Sequence, residues 1–225
     1  KIVAFLLAFV VAVSVITTGS LTSEAASVPT VTYRVHVQKD GWKQGWVKNG
    51  KSAGTTGEAK RLEAIEIKVE GNKNLGIEYK THIQSKGWEK NFSANGGQSG
   101  TVGAAKRLEA IQIKLTGSDA SKYDVYYRVH AQSYGWLGWA KNGQTAGSAG
   151  AAKRLEGIQI CVVPKGSPAP NALPATNSYA FMSATEKGAQ AAAEVKATAL
   201  SATMTKSTTM NVGATDKVKL TFAPT

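Results

Sequence analysis

Cysteine is almost absent from this chain. Cys161 stands alone among 225 residues, which excludes an intramolecular disulfide and any multi-cysteine metal site. Histidine is scarce, at three residues, too few for most metalloenzymes. Acidic side chains are outnumbered 15 to 27 by Lys and Arg, leaving a formal charge of +12. No activated nucleophile or metal motif gives a hydrolase reading a start, so no enzyme, cofactor or metal is expected. Apolar residues are plentiful at 42 %, with 23 glycines, so the chain has the material for a packed core and is not disordered throughout.

Only one long apolar run exists, residues 2–16, broken by Ser14 alone. It follows Lys1 and leads into a polar tract in which Ser23-Glu24-Ala25 has the small-x-small pattern of a cleavage site. Residues 1–25 therefore read as a signal peptide of an exported protein, too short for a membrane-spanning helix of about 20 residues. No Met precedes Lys1, and the chain is expected to begin short of its natural start.

Laid against itself, the rest shows three copies of one unit, at residues 31–71, 76–117 and 125–163. Copies one and two align at an offset of 46; copy three lacks one residue between its two tryptophans. Each copy reads Tyr-x-x-His-x-Gln, Gly-Trp, an aromatic, Asn-Gly, a Gly-rich stretch, and Lys-Arg-Leu-Glu.

In Tyr33, Val35 and Val37, and their equivalents, apolar residues alternate with Arg34, His36 and Gln38, the pattern of a half-buried strand. The pairs Asn49-Gly50, Asn95-Gly96 and Asn142-Gly143 tolerate the two positive φ angles of a tight hairpin. That hairpin is expected to pair residues 46–48 with 51–53, setting Ala53, Ser99 and Ala146 opposite Trp46, Phe92 and Trp139. The Lys-Arg-Leu-Glu block of copy one is rich in helix formers, but Gly157, Ile158 and Ile160 in copy three make it a strand, with Ile65, Ile111 and Ile158 inward.

This order of residues, ending in Arg-Leu-Glu-x-Ile-x-Ile, resembles the clostridial hydrophobic repeat with a conserved tryptophan, over about residues 30–163. The resemblance implies an exported or surface protein of a Gram-positive bacterium, with a role in binding or adhesion and no catalytic residue. Copy two departs from the pattern with Phe92 where the others have Trp46 and Trp139.

Units of about 46 residues cannot each bury a core and must share one. The expected fold is all-β: three pseudo-symmetric four-stranded repeats closed about a threefold axis, trefoil-like first and a three-sided β-prism second, spanning residues 28–163. Trp46, Phe92 and Trp139 are expected in the core. Trp42, Trp88 and Trp136, each after a glycine at a strand end, are the candidate ligand platforms, with Asn49, Asn95, Asn142, Gln38, Gln84 and Gln132 to orient hydroxyls. His36, His82 and His130 are read as structural rather than as a converging zinc site. Glu63, Glu109 and Glu156 share the inward face and need a donor, for which the Arg of the same block, the His or an indole N–H are candidates.

Residues 28–165 hold 21 Lys and Arg against 11 Asp and Glu. Outside the cell this favours anionic wall polymers over nucleic acid, for which no motif is present. Cys161, opposite in parity to the inward isoleucines, is expected to be partly exposed. Residues 164–196 read as a Pro/Ala-rich linker with a loose helix over 183–196. Residues 197–225 resemble the opening strands of a bacterial immunoglobulin-like domain, cut short, or a disordered tail. The expected partner is an extracellular glycan, a wall polymer or, alternatively, a surface protein bound by an adhesion or scaffold module. The membrane is met only through the signal segment.

Overall fold

The computed structural model describes residues 28–170 and 179–182, together with the backbone pairing of 190–191, 209–212 and 216–219. The signal-peptide reading falls on residues outside these. Copy one contains β1 (Thr30–Val37), β2 (Val47–Lys48), β3 (Ala53–Gly54) and β4 (Leu62–Glu70). Copy two contains β5 (Gly76–Ile83), β6 (Gly87–Trp88), β7 (Ser93–Ala94), β8 (Ser99–Gly100) and β9 (Leu108–Thr116). Copy three contains β10 (Tyr123–Ala131), β11 (Gly135–Trp136), β12 (Ala140–Lys141), β13 (Thr145–Gly147) and β14 (Leu155–Pro164). A 3-10 turn, Ala120–Lys122, precedes β10.

The two long strands of each copy form an antiparallel pair whose period-2 pattern sends one face inward. In copy one Tyr33 lies opposite Ile67 and Val35 opposite Ile65, and the ladder shifts by a bulge between His36 and Val37. The same bulge recurs between His82 and Ile83 and between His130 and Ala131. Positive φ also recurs at equivalent non-glycine positions, among them Lys39, Ser85 and Ser133, and Ala59, Ala105 and Ala152. The three copies thus share one backbone conformation. The Lys-Arg-Leu-Glu blocks lead into strands, and Ile65, Ile111 and Ile158 are buried in one cluster with residues of all three copies.

At the Asn-Gly dipeptide the turn forms as expected but the hairpin does not. Asn49 and Gly50 have φ of 36° and 79°, and Lys51 N–H donates to Lys48 O at 3.1 Å. The arms then part. β2 pairs with β1 of its own copy, whereas β3 pairs with β14 of copy three. Ala53 consequently packs against the neighbouring copy instead of facing Trp46.

This divergence closes the domain. β3 joins β14, β8 joins β4, and β13 joins β9, so each copy hands its short strand to the copy before it and copy one hands its own to copy three. A tyrosine clasps each junction. The hydroxyls of Tyr33, Tyr79 and Tyr127 donate to Lys51 O, Gly97 O and Gln144 O of their own copies. The tyrosine hydroxyl oxygens in turn accept from Ile160 N–H (3.1 Å), Ile67 N–H (2.8 Å) and Ile113 N–H (3.1 Å) of the preceding copy. The junctions are too tight for a side chain: a Cβ on Gly54, Gly100 or Gly147 would sit 2.4, 2.5 or 2.4 Å from a carbonyl oxygen of the neighbouring copy.

Hydrogen bonding divides the domain into three sheets around one core, β2-β1-β4-β8, β11-β10-β14-β3 and one containing β13-β9-β5-β6. The all-β, threefold-repeated architecture is as read from the sequence, while the trefoil label is narrower than this pairing supports.

Beyond β14 the structure differs from a free linker. Lys165 and Gly166 bond Asp124, Ser167 O accepts from the Tyr126 hydroxyl at 2.9 Å, and Ala169 is buried. A further strand, β15 (Tyr179–Phe181), lies parallel to β13, with Ala180 and Met182 in the common core. β16 (Gln190–Ala191), within the stretch read as helix, instead pairs with β15, whose open edge supplies the backbone partners that a short helix lacks. β17 (Thr209–Val212) and β18 (Asp216–Lys219) form an antiparallel pair in the tail.

Candidate functional site

Two side-chain constellations repeat in every copy. In the first, the His on the long strand lies beside the Glu of the Lys-Arg-Leu-Glu block: Nδ1 to Oε2 is 3.0 Å for His36–Glu63, His82–Glu109 and His130–Glu156. The other carboxylate oxygen accepts from the Arg two residues earlier, with Nη2 of Arg61, Arg107 and Arg154 each at 2.7 Å. A buried carboxylate needs such partners, and of the donor types expected from sequence the Arg supplies the hydrogen bonds, while the His Nδ1 lies close to the carboxylate without hydrogen-bond geometry. Each His ring also meets an indole edge to face: His36–Trp42, His82–Trp88 and His130–Trp136 have centroids 5.4, 5.5 and 5.6 Å apart. Each His is therefore engaged within its own copy, and among the described residues no group of three His, Cys, Asp or Glu is arranged to hold a metal.

In the second, a cation on the outward face lies between the copy's two aromatics. The Arg34 guanidinium is 4.8 Å from the Trp42 ring and 4.9 Å from Trp46. Lys80 stands 5.6 Å from Trp88 and 4.8 Å from Phe92. Arg128 is 5.0 Å from both Trp136 and Trp139. In copies one and two a second cation extends the row, Lys68 at 4.8 Å from Trp46 and Lys114 at 4.3 Å from Phe92. Cation and aromatic pairs attract by about 0.5–1 kcal/mol at exposed sites, the case for Arg34, Lys68 and Lys114, and by about 2 kcal/mol when desolvated. The cations are partly balanced, Arg34 by Glu66 (2.6 Å), Lys68 by Glu70 (2.7 Å) and Lys114 by Glu78 (3.1 Å). Sequence reading assigned these cations no role, although they occupy two repeat positions, that of Arg34, Lys80 and Arg128 and that of Lys68 and Lys114.

The aromatic assignment from sequence changes accordingly. Trp46 is 39 % exposed and Phe92 half-buried, because β2 and β7 run along the outer face rather than into the core. Trp139 is buried as expected, but in a small outer cluster with Tyr126, Cys161 and Ala169. Trp42, Trp88 and Trp136 are half-buried between their His and their cation. Cys161, expected partly exposed, is buried: it replaces Lys68 and Lys114, and residues 165–170 cover that side of copy three. Burial pushes its thiol up to about 11, with nearby Arg128 pulling the other way. Asp124, fully buried on the same side, is raised by burial. Lys165, Lys141, the Gly166 N–H and Asn142 outweigh this and hold it well below the usual carboxylate range.

The candidate polar groups are placed as follows. Asn49, Asn95 and Asn142 accept through Oδ1 from the N–H of Val31, Ile77 and Val125, holding the turn onto the long strand. Gln38, Gln84 and Gln132 are half-buried just past the bulge. Residues 45–52 match a phosphate-loop spacing and 50–54 a nucleophile-elbow spacing, but no helix follows. Asn49, Gly50 and Lys51 N–H groups are taken by Val31 O, Ile160 O and Lys48 O, and the Ser52 hydroxyl accepts from Gln159.

One cavity of about 370 Å³ lies in copy one, lined by Val37, Gly41, Lys43, Gln44, Gly54 and Lys60 among others. In copy two the matching space receives the Glu89 carboxylate, which accepts from Thr81 N–H and Gly100 N–H (2.9 Å each) and from the Thr81 and Ser99 hydroxyls. Among the described residues no helix is long and apolar enough to cross a membrane.

Compared with known families, three tandem segments, residues 36–71, 82–117 and 130–164, match the model of the clostridial hydrophobic W repeat. It is a repeat module found in extracellular and surface proteins and is not a known catalytic family. No curated protein and no solved structure matches the chain.

Proposed function

We propose, for a chain that carries three tandem clostridial hydrophobic W repeats, the role of an exported, non-catalytic binding module that recognises carbohydrate or cell-wall polymer through its repeat aromatics. The observation that carries this reading is the row of Trp42, Arg34, Trp46 and Lys68, with spacings of 4.8–4.9 Å and Trp46 exposed. Sugar rings present apolar C–H faces that suit an indole, and anionic groups on a polymer suit the cations between them. Copy two offers the same row as Trp88, Lys80, Phe92 and Lys114. Copy three, with Arg128 and Trp139 buried, contributes least, though Trp136 remains half-exposed.

The test is a binding screen of the protein against purified wall, plant polysaccharides and mucin, at low and high salt. Binding to an anionic polymer that weakens with salt and with Trp46→Ala supports the reading. Failure to bind every glycan overturns it. A protein-binding adhesion or scaffold role is the second reading, favoured by the strand docked on β13.

A further inference from the structure

The short strands β3, β8 and β13 each bond a long strand of the neighbouring copy along one edge. The three copies treat the opposite edge differently. In copy three a strand occupies it: β15 runs parallel to β13 with Phe181 opposite Gly147, Met182 N–H donates to Gly147 O (2.9 Å), and Gly138 N–H donates to Tyr179 O (2.9 Å). Alternation sends Ala180 and Met182 into the core. In copy two that space is plugged by Glu89, held by Thr81, Ser99 and Gly100. The plug rests on three polar residues standing where copy one has Val35, Lys43 and Ala53.

Among the described residues copy one has neither a strand nor that plug. Its equivalent space is the cavity of about 370 Å³ bordered by Val37, Gly41 and Gly54. The Gly54 N–H, at the position of Gly147, is capped by the side chain of Gln44 (2.6 Å), which also donates to Ser52 O (3.1 Å) on the exposed surface. A side chain that a peptide can displace, over an edge whose twin already holds a strand, is the layout of strand addition.

We propose that the groove of copy one binds an extended segment of a partner protein, added parallel to β3, with a small residue and then an unbranched apolar residue two positions on. Ala180 and Met182 define that pattern in the twin site. The groove borders the aromatic row, since Gly41 and Lys43 flank Trp42, but the proposal does not depend on what that row binds.

The test uses the full chain and a fluorescently labelled peptide of residues 177–184 (Asn-Ser-Tyr-Ala-Phe-Met-Ser-Ala) added in trans. Fluorescence anisotropy should show saturable binding, and amide shifts should move at Gly54 and Thr55. Gln44→Ala, an exposed change that leaves the fold intact, removes the competing cap and should tighten binding about threefold or more. Val35→Thr with Lys43→Glu and Ala53→Ser copies the plug of copy two and should weaken binding at least about tenfold. Its folding is checked by thermal unfolding; if it does not fold, the Gln44→Ala result decides. Shifts confined to Gly147 and Ser148, undiminished binding by the folded plugged variant, no gain with Gln44→Ala, or no binding at about 1 mM peptide overturns the proposal. Self-association abolished by the plug would assign the groove to a second copy instead of a partner, and overturn it likewise.

Discussion

The Tyr79 hydroxyl lies 2.8 Å from the backbone nitrogen of Ile67 in the preceding copy, and it satisfies a buried amide that no strand reaches. Burial raises its phenol to about 12, so it stays a neutral donor and acceptor at any physiological pH. Tyr79→Phe removes the oxygen and leaves the Ile67 N–H without that partner. The expected loss is about 1–3 kcal/mol, read as a drop in the urea midpoint with an unchanged slope. Equal stability would show the clasp to be dispensable.

Gly100 combines φ of 95° with a neighbouring carbonyl oxygen only 2.5 Å from where a Cβ would stand. Gly100→Ala should destabilise far more than Gly103→Ala, whose added Cβ meets nothing within 4 Å although its φ is also positive. Thermal unfolding of the two variants separates contact between copies from backbone strain.

The tryptophans of one repeat position are predicted to part company. Trp139→Ala should cost about 3–5 kcal/mol, the usual range for a buried aromatic. Trp46→Ala, at the same position but 39 % exposed, should leave the melting temperature nearly unchanged while weakening polymer binding. Comparable losses in both would mean that Trp46 is packed against more than its two cations.

Cys161 is buried, with its thiol pushed up to about 11. It should react with a thiol reagent at pH 8 only after denaturant is added. Rapid labelling of the native protein would show that residues 165–170 leave that side of copy three.

Asp124 titrates below an ordinary carboxylate because of Lys165, Lys141, Gly166 and Asn142. A depressed folded pKa stabilises above the unfolded value and is lost as pH falls through the folded one. Asp124→Asn should therefore lower the melting temperature at pH 7. The gap from the parent should narrow as the pH falls below about 4. A gap constant down to acid pH would mean that the ion pairs contribute nothing.

The repeats, their strands and the Asn-Gly turn were legible because each is a local pattern, and comparing three copies overrode the helix-forming composition of residues 58–66. Where the two arms of that turn go was not legible. Asn49-Gly50 fixes a reversal, but which strand captures Ala53 depends on the closure with β14, more than 100 residues away. Trp46 was misplaced for the same reason. Arg34 and Lys80 have the spacing of an ordinary solvated face, so only the structure reveals the aromatics on either side of them. Cys161 looked exposed by parity because residues after β14 gave no sequence sign of packing back. The carboxylates were read correctly as needing donors, since Glu63 shares a face with isoleucines.

The ring of handed-over strands also sets an order of events. The Tyr33 oxygen near the start of copy one accepts from Ile160, 127 residues later in the chain. As the chain emerges from its N-terminal end, β8 can join β4 and β13 can join β9, but β3 must wait until copy three is complete. The last junction to form is thus the one spanning the greatest sequence distance, and it carries the largest loop-closure entropy. Until then β3 is an unpaired edge, so a product cut short before β14 would carry its own template for aggregation.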